Sequence, residues 1–314
     1  SFSPDCSPRS KTTYRLPLKE ADGLSLLELD MTDKDGNHFL RQSFVVNKPD
    51  MVWQGNGNPM SMIQRDSLVR IGRKPTMAER ITEKDKYPQR YIVPIKGNSA
   101  EGELLHVNTD IKTTANADGS LHIKASLTND SADCFIPELG LAYLLDSCID
   151  RVQWIGEGPY ASYPGRRKAN RYGVWALQKD DIYFEGNRMD VEACYLSDKD
   201  GNGIVIAADS TMNVNFEQTD RGILVSVNAT VSGQGPKFAR SAFKAWADKR
   251  KTRKCSFSLY RIENGKLPEW ASKLFCQPAL VPKPFTPFLT QYDTYLLRFD
   301  SIVAPVPKTG TAQR

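Results

Sequence analysis

Leu121-His122-Ile123-Lys124-Ala125-Ser126-Leu127-Thr128 alternates apolar and polar residues without a break. Successive side chains of a strand point to opposite faces, so this run specifies a strand buried on one side. The same period recurs. Ile223, Val225 and Val227 alternate with Leu224 and Ser226, and Cys255, Phe257 and Leu259 with Ser256, Ser258 and Tyr260. Between such runs stand Asp35-Gly36-Asn37, Asn116-Ala117-Asp118-Gly119, Asp200-Gly201-Asn202-Gly203 and Glu263-Asn264-Gly265. Asx and Gly supply the positive φ of tight hairpins. The expected class is therefore all-β, built from antiparallel sheets. One helix is expected, over 266–275, with Pro268 near its first turn and Leu267, Trp270, Ala271 and Leu274 at helical spacing.

The 314 residues are 40% hydrophobic and 25% charged, the composition of a globular chain. The net charge of +5 is mild, and no nucleic-acid partner is expected. No stretch approaches the roughly 18 apolar residues of a membrane helix, and no apolar block marks a signal peptide in 1–16. A soluble protein with no membrane partner is expected, with periplasmic and extracellular placement in a bacterium left open. Cys6, Cys134, Cys148, Cys194, Cys255 and Cys276 are scattered and read as free thiols, one disulfide remaining open in an oxidising compartment. His38, His106 and His122 are isolated, and none has metal-ligand spacing. Neither a metal nor another cofactor is expected.

Three blocks follow along the chain. Residues 1–47 hold three or four strands, too few for a complete sandwich. Residues 48–265 form one large β domain. Residues 266–314 carry the short helix and a Pro-rich extension, with six prolines from Pro278 to Pro307.

Chemistry concentrates in two stretches. In Arg151-Val-Gln-Trp154-Ile-Gly156-Glu-Gly158-Pro159-Tyr160-Ala-Ser-Tyr163-Pro164-Gly165-Arg166, a strand runs into a glycine-proline turn and a loop bearing two tyrosines and an arginine. Aromatic faces stack on sugar rings and a guanidinium bonds hydroxyls, so Tyr160, Tyr163, Arg166 and nearby Trp175 are candidate carbohydrate contacts. The bland alternative is a loop packed on its own domain. In Tyr183-Phe-Glu185-Gly186-Asn187-Arg188-Met-Asp190-Val191, Glu185 and Arg188 flank a Gly-Asn turn and are read either as lining one cleft or as a surface ion pair. The run Lys249, Arg250, Lys251, Arg253, Lys254 is read as a solvated loop in preference to a polyanion site. Asn129-Asp130-Ser131 and Asn228-Ala229-Thr230 fit glycosylation sequons.

These elements resemble a known family. Trp154-x-Gly156-x-Gly158-Pro159 with Tyr163-x-x-Arg166 is similar to the W-x-G-x-G-P-x-E-x-Y-x-D-R signature of the C-terminal domain of glycoside hydrolase family 2 β-galactosidases. Glu185-x-Asn187-Arg188 resembles its E-x-G-N-R element, Pro137-Glu138-Leu139-Gly140 its P-R-x-G strand, and Arg73-Lys74-Pro75-Thr76 its R-A-P-T element. The resemblance departs at Ala161 and Gly165 in the signature, at Glu138 where the pattern has arginine, and at Met77. The family's late tryptophan loop has its nearest counterpart at 232–238, where Phe238 stands as the aromatic candidate.

The resemblance implies a galactose mutarotase-like supersandwich over 48–265, preceded in 1–47 by the last strands of an immunoglobulin-like domain. It also implies a parent glycosidase whose two carboxylates lie on an upstream TIM barrel, and these 314 residues have no βα alternation to build one. The chain is then a C-terminal fragment, non-catalytic alone. Its partners would be carbohydrate and the parent's upstream TIM-barrel and immunoglobulin-like domains, with homo-oligomerisation open. The alternatives are a stand-alone aldose epimerase-like enzyme using Glu185, disfavoured because no histidine follows His122, and a carbohydrate-binding module.

Overall fold

A computed structural model describes residues 13, 15, 17, 23–73, 90–103, 105–131, 134–182, 186–233, 246–247, 251–276 and 278–280. Two compact units divide the chain, 1–51 and 52–314.

In the first unit, β1 (Ser25–Thr32) and β2 (His38–Asn47) form an antiparallel hairpin. Its turn is set by Asp33, whose carboxylate accepts from the N–H groups of Asp35 and Asn37 and from the Asn37 amide. Met31, Leu40, Phe44, Val45 and Val46 are exposed.

The second unit runs β3 (Ile63–Arg70), β4 (Ile92–Lys96), β5 (Ser99–Glu101), β6 (His106–Ala115), β7 (Leu121–Asn129), β8 (Cys134–Phe135), β9 (Glu138–Leu145), β10 (Arg151–Gly158), β11 (Arg171–Gln178), β12 (Asn187–Ser197), β13 (Gly203–Thr219), β14 (Gly222–Val231), β15 (Trp246–Ala247), β16 (Thr252–Ile262), α1 (Glu269–Phe275) and β17 (Ala279–Leu280). The main sheet has the order β14-β9-β3-β4-β5-β6-β7-β16-β13-β12-β10-β11-β17. All its pairings are antiparallel except β17 on β11. β8 pairs separately with β15.

The long strand β13 serves two neighbourhoods. Its first residues, 203–208, pair with β16, and its last, 213–219, pair with β14. Because β14 also pairs with β9, the sheet returns to itself through β9, β3, β4, β5, β6, β7 and β16. Inside lies the apolar core, with Val69, Leu127, Leu139, Leu141, Trp154, Val214, Phe216, Val225, Val227 and Phe257 among its members. The chain is all-β, as its period-two pattern requires.

Two local expectations change. β14 has both faces buried: Leu224, expected on the outer side, packs with Leu68, Ala142 and Leu144 on the matching face of β3 and β9. The helix starts at Glu269, not Lys266, because Pro268 holds an extended backbone (ψ 147°) and a residue before proline is driven from helical geometry. Trp270 and Phe275 then pack on Trp53, at centroid distances of 4.7 and 6.4 Å, and the Trp270 indole donates to Val52 O.

Candidate functional site

The alternation that sends Val69, Leu139, Phe216, Val225 and Val227 into the core sends their neighbours to the opposite face of β3, β9, β13 and β14. Those neighbours are Arg70, Glu138, Asn215, Glu217, Ser226 and Asn228, and all are buried. An isolated charge there would cost several kcal/mol, on the order of the desolvation penalty of a buried ion. The residues therefore satisfy one another. Arg70 donates through Nη2 to Glu217 Oε2 (3.0 Å) and through Nε to Ser226 Oγ (2.8 Å), with Glu138 Oε2 3.7 Å away. The Asn215 amide donates to both oxygens of Glu138 (3.1 and 2.9 Å), and Asn228 donates to its Oε2 (3.0 Å). Tyr91 Oη donates to Glu217 Oε1 (2.6 Å).

Burial pushes the Glu138 carboxyl above the usual carboxylate range, against the pull of Arg70, Arg73 and the two amides. Burial also raises the Tyr91 phenol, helped by its bond to Glu217.

From this cluster the network continues into the signature loop. Asn228 Nδ2 also donates to Asn187 Oδ1 (3.1 Å). Asn187, first residue of β12, grips Ser162 twice: its Nδ2 donates to Ser162 O (2.9 Å), and its own carbonyl accepts from Ser162 N–H (2.9 Å). Ser162 Oγ accepts from Met189 N–H (2.7 Å). Tyr163 Oη accepts from Asn187 N–H at 3.4 Å, and Arg73 lies over the Tyr163 ring, 5.3 Å from its centroid. The loop's far side is tied by Arg167, which bonds Glu157 and Asp190 on β10 and β12, and by Asn170 Oδ1, which accepts from Tyr160 N–H. The Glu157 hydrogen bond is the main reason the Arg167 guanidinium is held above its ordinary pKa.

The signature's two glycines are steric necessities. Gly156 has φ +145°, and a Cβ there would lie 2.6 Å from Asp190 O. A Cβ on Gly158 would strike the Trp175 ring at 2.5 Å.

The expected contact residues separate by exposure. Tyr160 is 41% exposed, and Arg166 is exposed at the loop tip, its N–H donating to Tyr163 O (2.8 Å). Tyr163 is fully buried. Trp175 is buried opposite Trp154, its indole donating to Gly156 O (3.1 Å) and its ring covered by Arg171 at 4.8 Å. Arg188 is buried over Trp154 (5.1 Å), donating to Gly186 O and Asn187 O. Burial lowers its pKa to about 10. Glu185 and Phe238 lie outside the described residues, as do Lys249 and Arg250 of the basic run and 281–314 of the C-terminal extension.

Missed by sequence reasoning were Arg70, Asn215, Glu217 and Asn228 as members of one cluster. The available signal was polar residues inside otherwise apolar strands, as in Asn213-Val214-Asn215-Phe216-Glu217.

Chemically, Glu138 and Glu217 share one arginine, yet their oxygens are occupied by amides, Arg70 and a phenol, and neither carboxylate is accessible to a glycosidic oxygen. These bonds run between side chains and link β3, β9, β13 and β14. Asn129 and Asn228 of the two sequons are buried, at 1% and 3% exposure, so the folded protein offers neither to a glycosyltransferase. Cys148, Cys194, Cys255 and Cys276 are free. Among the described residues no cluster could hold a metal ion, and no helix is long and apolar enough to cross a membrane.

Similarity is found to the β-galactosidase of Pseudoalteromonas haloplanktis (27% identity over 81 residues, 26% of this chain and 8% of that one). It is found also to that of Priestia megaterium (26% over 108 residues, 31% and 10%). The matched stretches thus span at most a tenth of these relatives' length. Among solved structures, a galactose mutarotase related enzyme from Lactobacillus acidophilus aligns over 76% of this chain and 99% of its own, at 9% identity and a TM-score of 0.34. The family model for the β-galactosidase small chain matches residues 29–261, from the hairpin strand β1 to the end of β16, and the chain belongs to that family.

Proposed function

We propose that the chain is the C-terminal, small-chain part of a β-galactosidase-like glycoside hydrolase of family 2, non-catalytic alone, which braces the parent's active site and contacts carbohydrate through the 159–170 loop. The observation that carries this reading is the loop itself: a family signature strapped to β10 and β12 on both sides, with Tyr160 and Arg166 held outward. An exposed ring and guanidinium on a fixed backbone suit a sugar, because little ordering entropy is lost on binding.

Residues 1–47 are assigned to the end of an immunoglobulin-like domain, 48–265 to the supersandwich and 266–314 to an extension. A retaining glycosidase needs an acid/base and a nucleophile about 5 Å apart and open to substrate. Those groups are assigned to an upstream TIM barrel, the principal partner.

Nitrophenyl glycoside assays test the reading. The isolated chain is expected to be inactive, and a chain that includes the upstream barrel active. Turnover by the isolated chain would overturn it. Calorimetric titration with galactose and lactose, on wild type and Tyr160→Ala, tests the carbohydrate contact.

A further inference from the structure

The geometry points to Asn228 and Asn187 as positioning residues that transmit the order of the buried Arg70–Glu138 cluster to the surface loop 159–170. This rests on the carbohydrate-contact reading of that loop. The chain of bonds is continuous. Glu138 Oε2 takes one proton of the Asn228 amide, and that fixes the other on Asn187 Oδ1. With its Oδ1 so occupied, Asn187 can present only Nδ2 to Ser162 O. Each amide has one orientation that satisfies its neighbours, because a carboxylate accepts and never donates.

Asn228 bonds groups on both sides: a carboxylate on β9 and an amide on β12. Asn215 is the natural contrast. It makes two bonds to the same carboxylate but no side-chain bond to Asn187 or the loop. Asn215 is the ladder partner of Asn187 on β13, but of the two only the Asn228 side chain bonds the Asn187 amide that holds Ser162. Glu138 occupies the place where the resembled pattern has arginine. An arginine there would donate and could not orient Asn228 in this way, so this orientation goes with the glutamate.

The test compares Asn228→Leu with Asn215→Leu in the 314-residue chain. Both leave Glu138 short of a donor. Residue-level hydrogen exchange is read at the N–H groups of Ser162 and Met189, with β7 and β16 as references. Asn228→Leu is expected to speed exchange at both loop reporters at least tenfold relative to Asn215→Leu, and to weaken galactose and lactose binding. Equal loop exchange in the two variants, or a rise shared with β7 and β16, would overturn the inference.

Should Asn228→Leu not fold, Asn187→Ala removes the Nδ2 donor that holds Ser162 O and leaves Asn215 and Asn228 in place. It is expected to speed exchange at the Ser162 and Met189 N–H groups relative to β7 and β16 and to weaken saccharide binding. Unchanged exchange at both reporters would overturn the positioning role. If the wild type binds neither sugar while the loop reporters respond as expected, the strap stands and the carbohydrate reading of the loop fails.

Discussion

The guanidinium of Arg188 lies 5.1 Å from the ring centroid of Trp154, and both side chains are buried. Its Nη1 spans two carbonyls of its own chain segment, Gly186 O and Asn187 O. A planar fork does both tasks and an ammonium does not. Arg188→Lys is expected to lower unfolding stability by about 1–2 kcal/mol, the scale of a desolvated cation–π contact. Urea titration measures it, and the tryptophan emission of the folded state should shift in the same variant.

Arg70 faces two carboxylates, Glu217 at 3.0 Å and Glu138 at 3.7 Å. Arg70→Met removes the cation that both buried carboxylates face, and a loss of about 3–5 kcal/mol is expected, as for other broken buried pairs. Adding Glu217→Leu to it should restore part of that loss, so the double-mutant cycle is expected to show strong coupling. Additive losses would mean that the pair does not act as a unit.

Asp118 anchors the β6–β7 hairpin to Gly55. Burial pushes its carboxyl up, but hydrogen bonds from the Ser120 hydroxyl and from the N–H groups of Gly55 and Ser120 outweigh this and hold it below the ordinary range. A depressed carboxylate stabilises the fold above its unfolded pKa near 4, and that stabilisation is lost as pH falls through the lower folded value. The denaturant midpoints of wild type and Asp118→Ala should therefore differ at pH 6 and converge towards pH 2.

The thiols should divide by exposure. Cys148 and Cys276 are exposed, while Cys194 is buried and its thiol pushed up by desolvation. Cys255 is pushed up to about 12 by the same cause. A thiol reagent at pH 8 should label Cys276 in the folded protein, Cys148 more slowly because partial burial and its Asp146 partner push its thiol up to about 11, and Cys194 only in denaturant.

The strands were legible wherever one face meets water or a polar neighbour. In β7, Ile123, Ala125 and Leu127 enter the core as their spacing requires. The turn at Asp198–Asn202 follows from its Asx and Gly residues, with Asp198 accepting the N–H groups of Asp200 and Asn202. The family signature marked a loop that the structure ties to β10 and β12. What stayed hidden was the meaning of polarity inside the strands. Arg70 and Glu217 stand 147 positions apart, and nothing local to either marks the other as its partner. Period two says which way a residue points, not what waits there. Tyr163 and Trp175 show the same limit, since a motif aromatic looks alike in sequence whether it faces a sugar or its own backbone.

The return of the sheet through β13 has a consequence for synthesis on the ribosome. The strands from β3 to β7 are made first, but β7 gains its second neighbour only when β16, ending at Ile262, is complete. β3 likewise waits for β9, and β9 for β14. Nearly the whole unit must leave the exit tunnel before the circuit closes. Pairings so distant in sequence close slowly and leave unpaired strand edges exposed meanwhile. A nascent chain stalled before Thr252 would present β7 and β13 as open edges to any neighbour, so the production of this protein should depend on chaperones more than its folded stability would suggest.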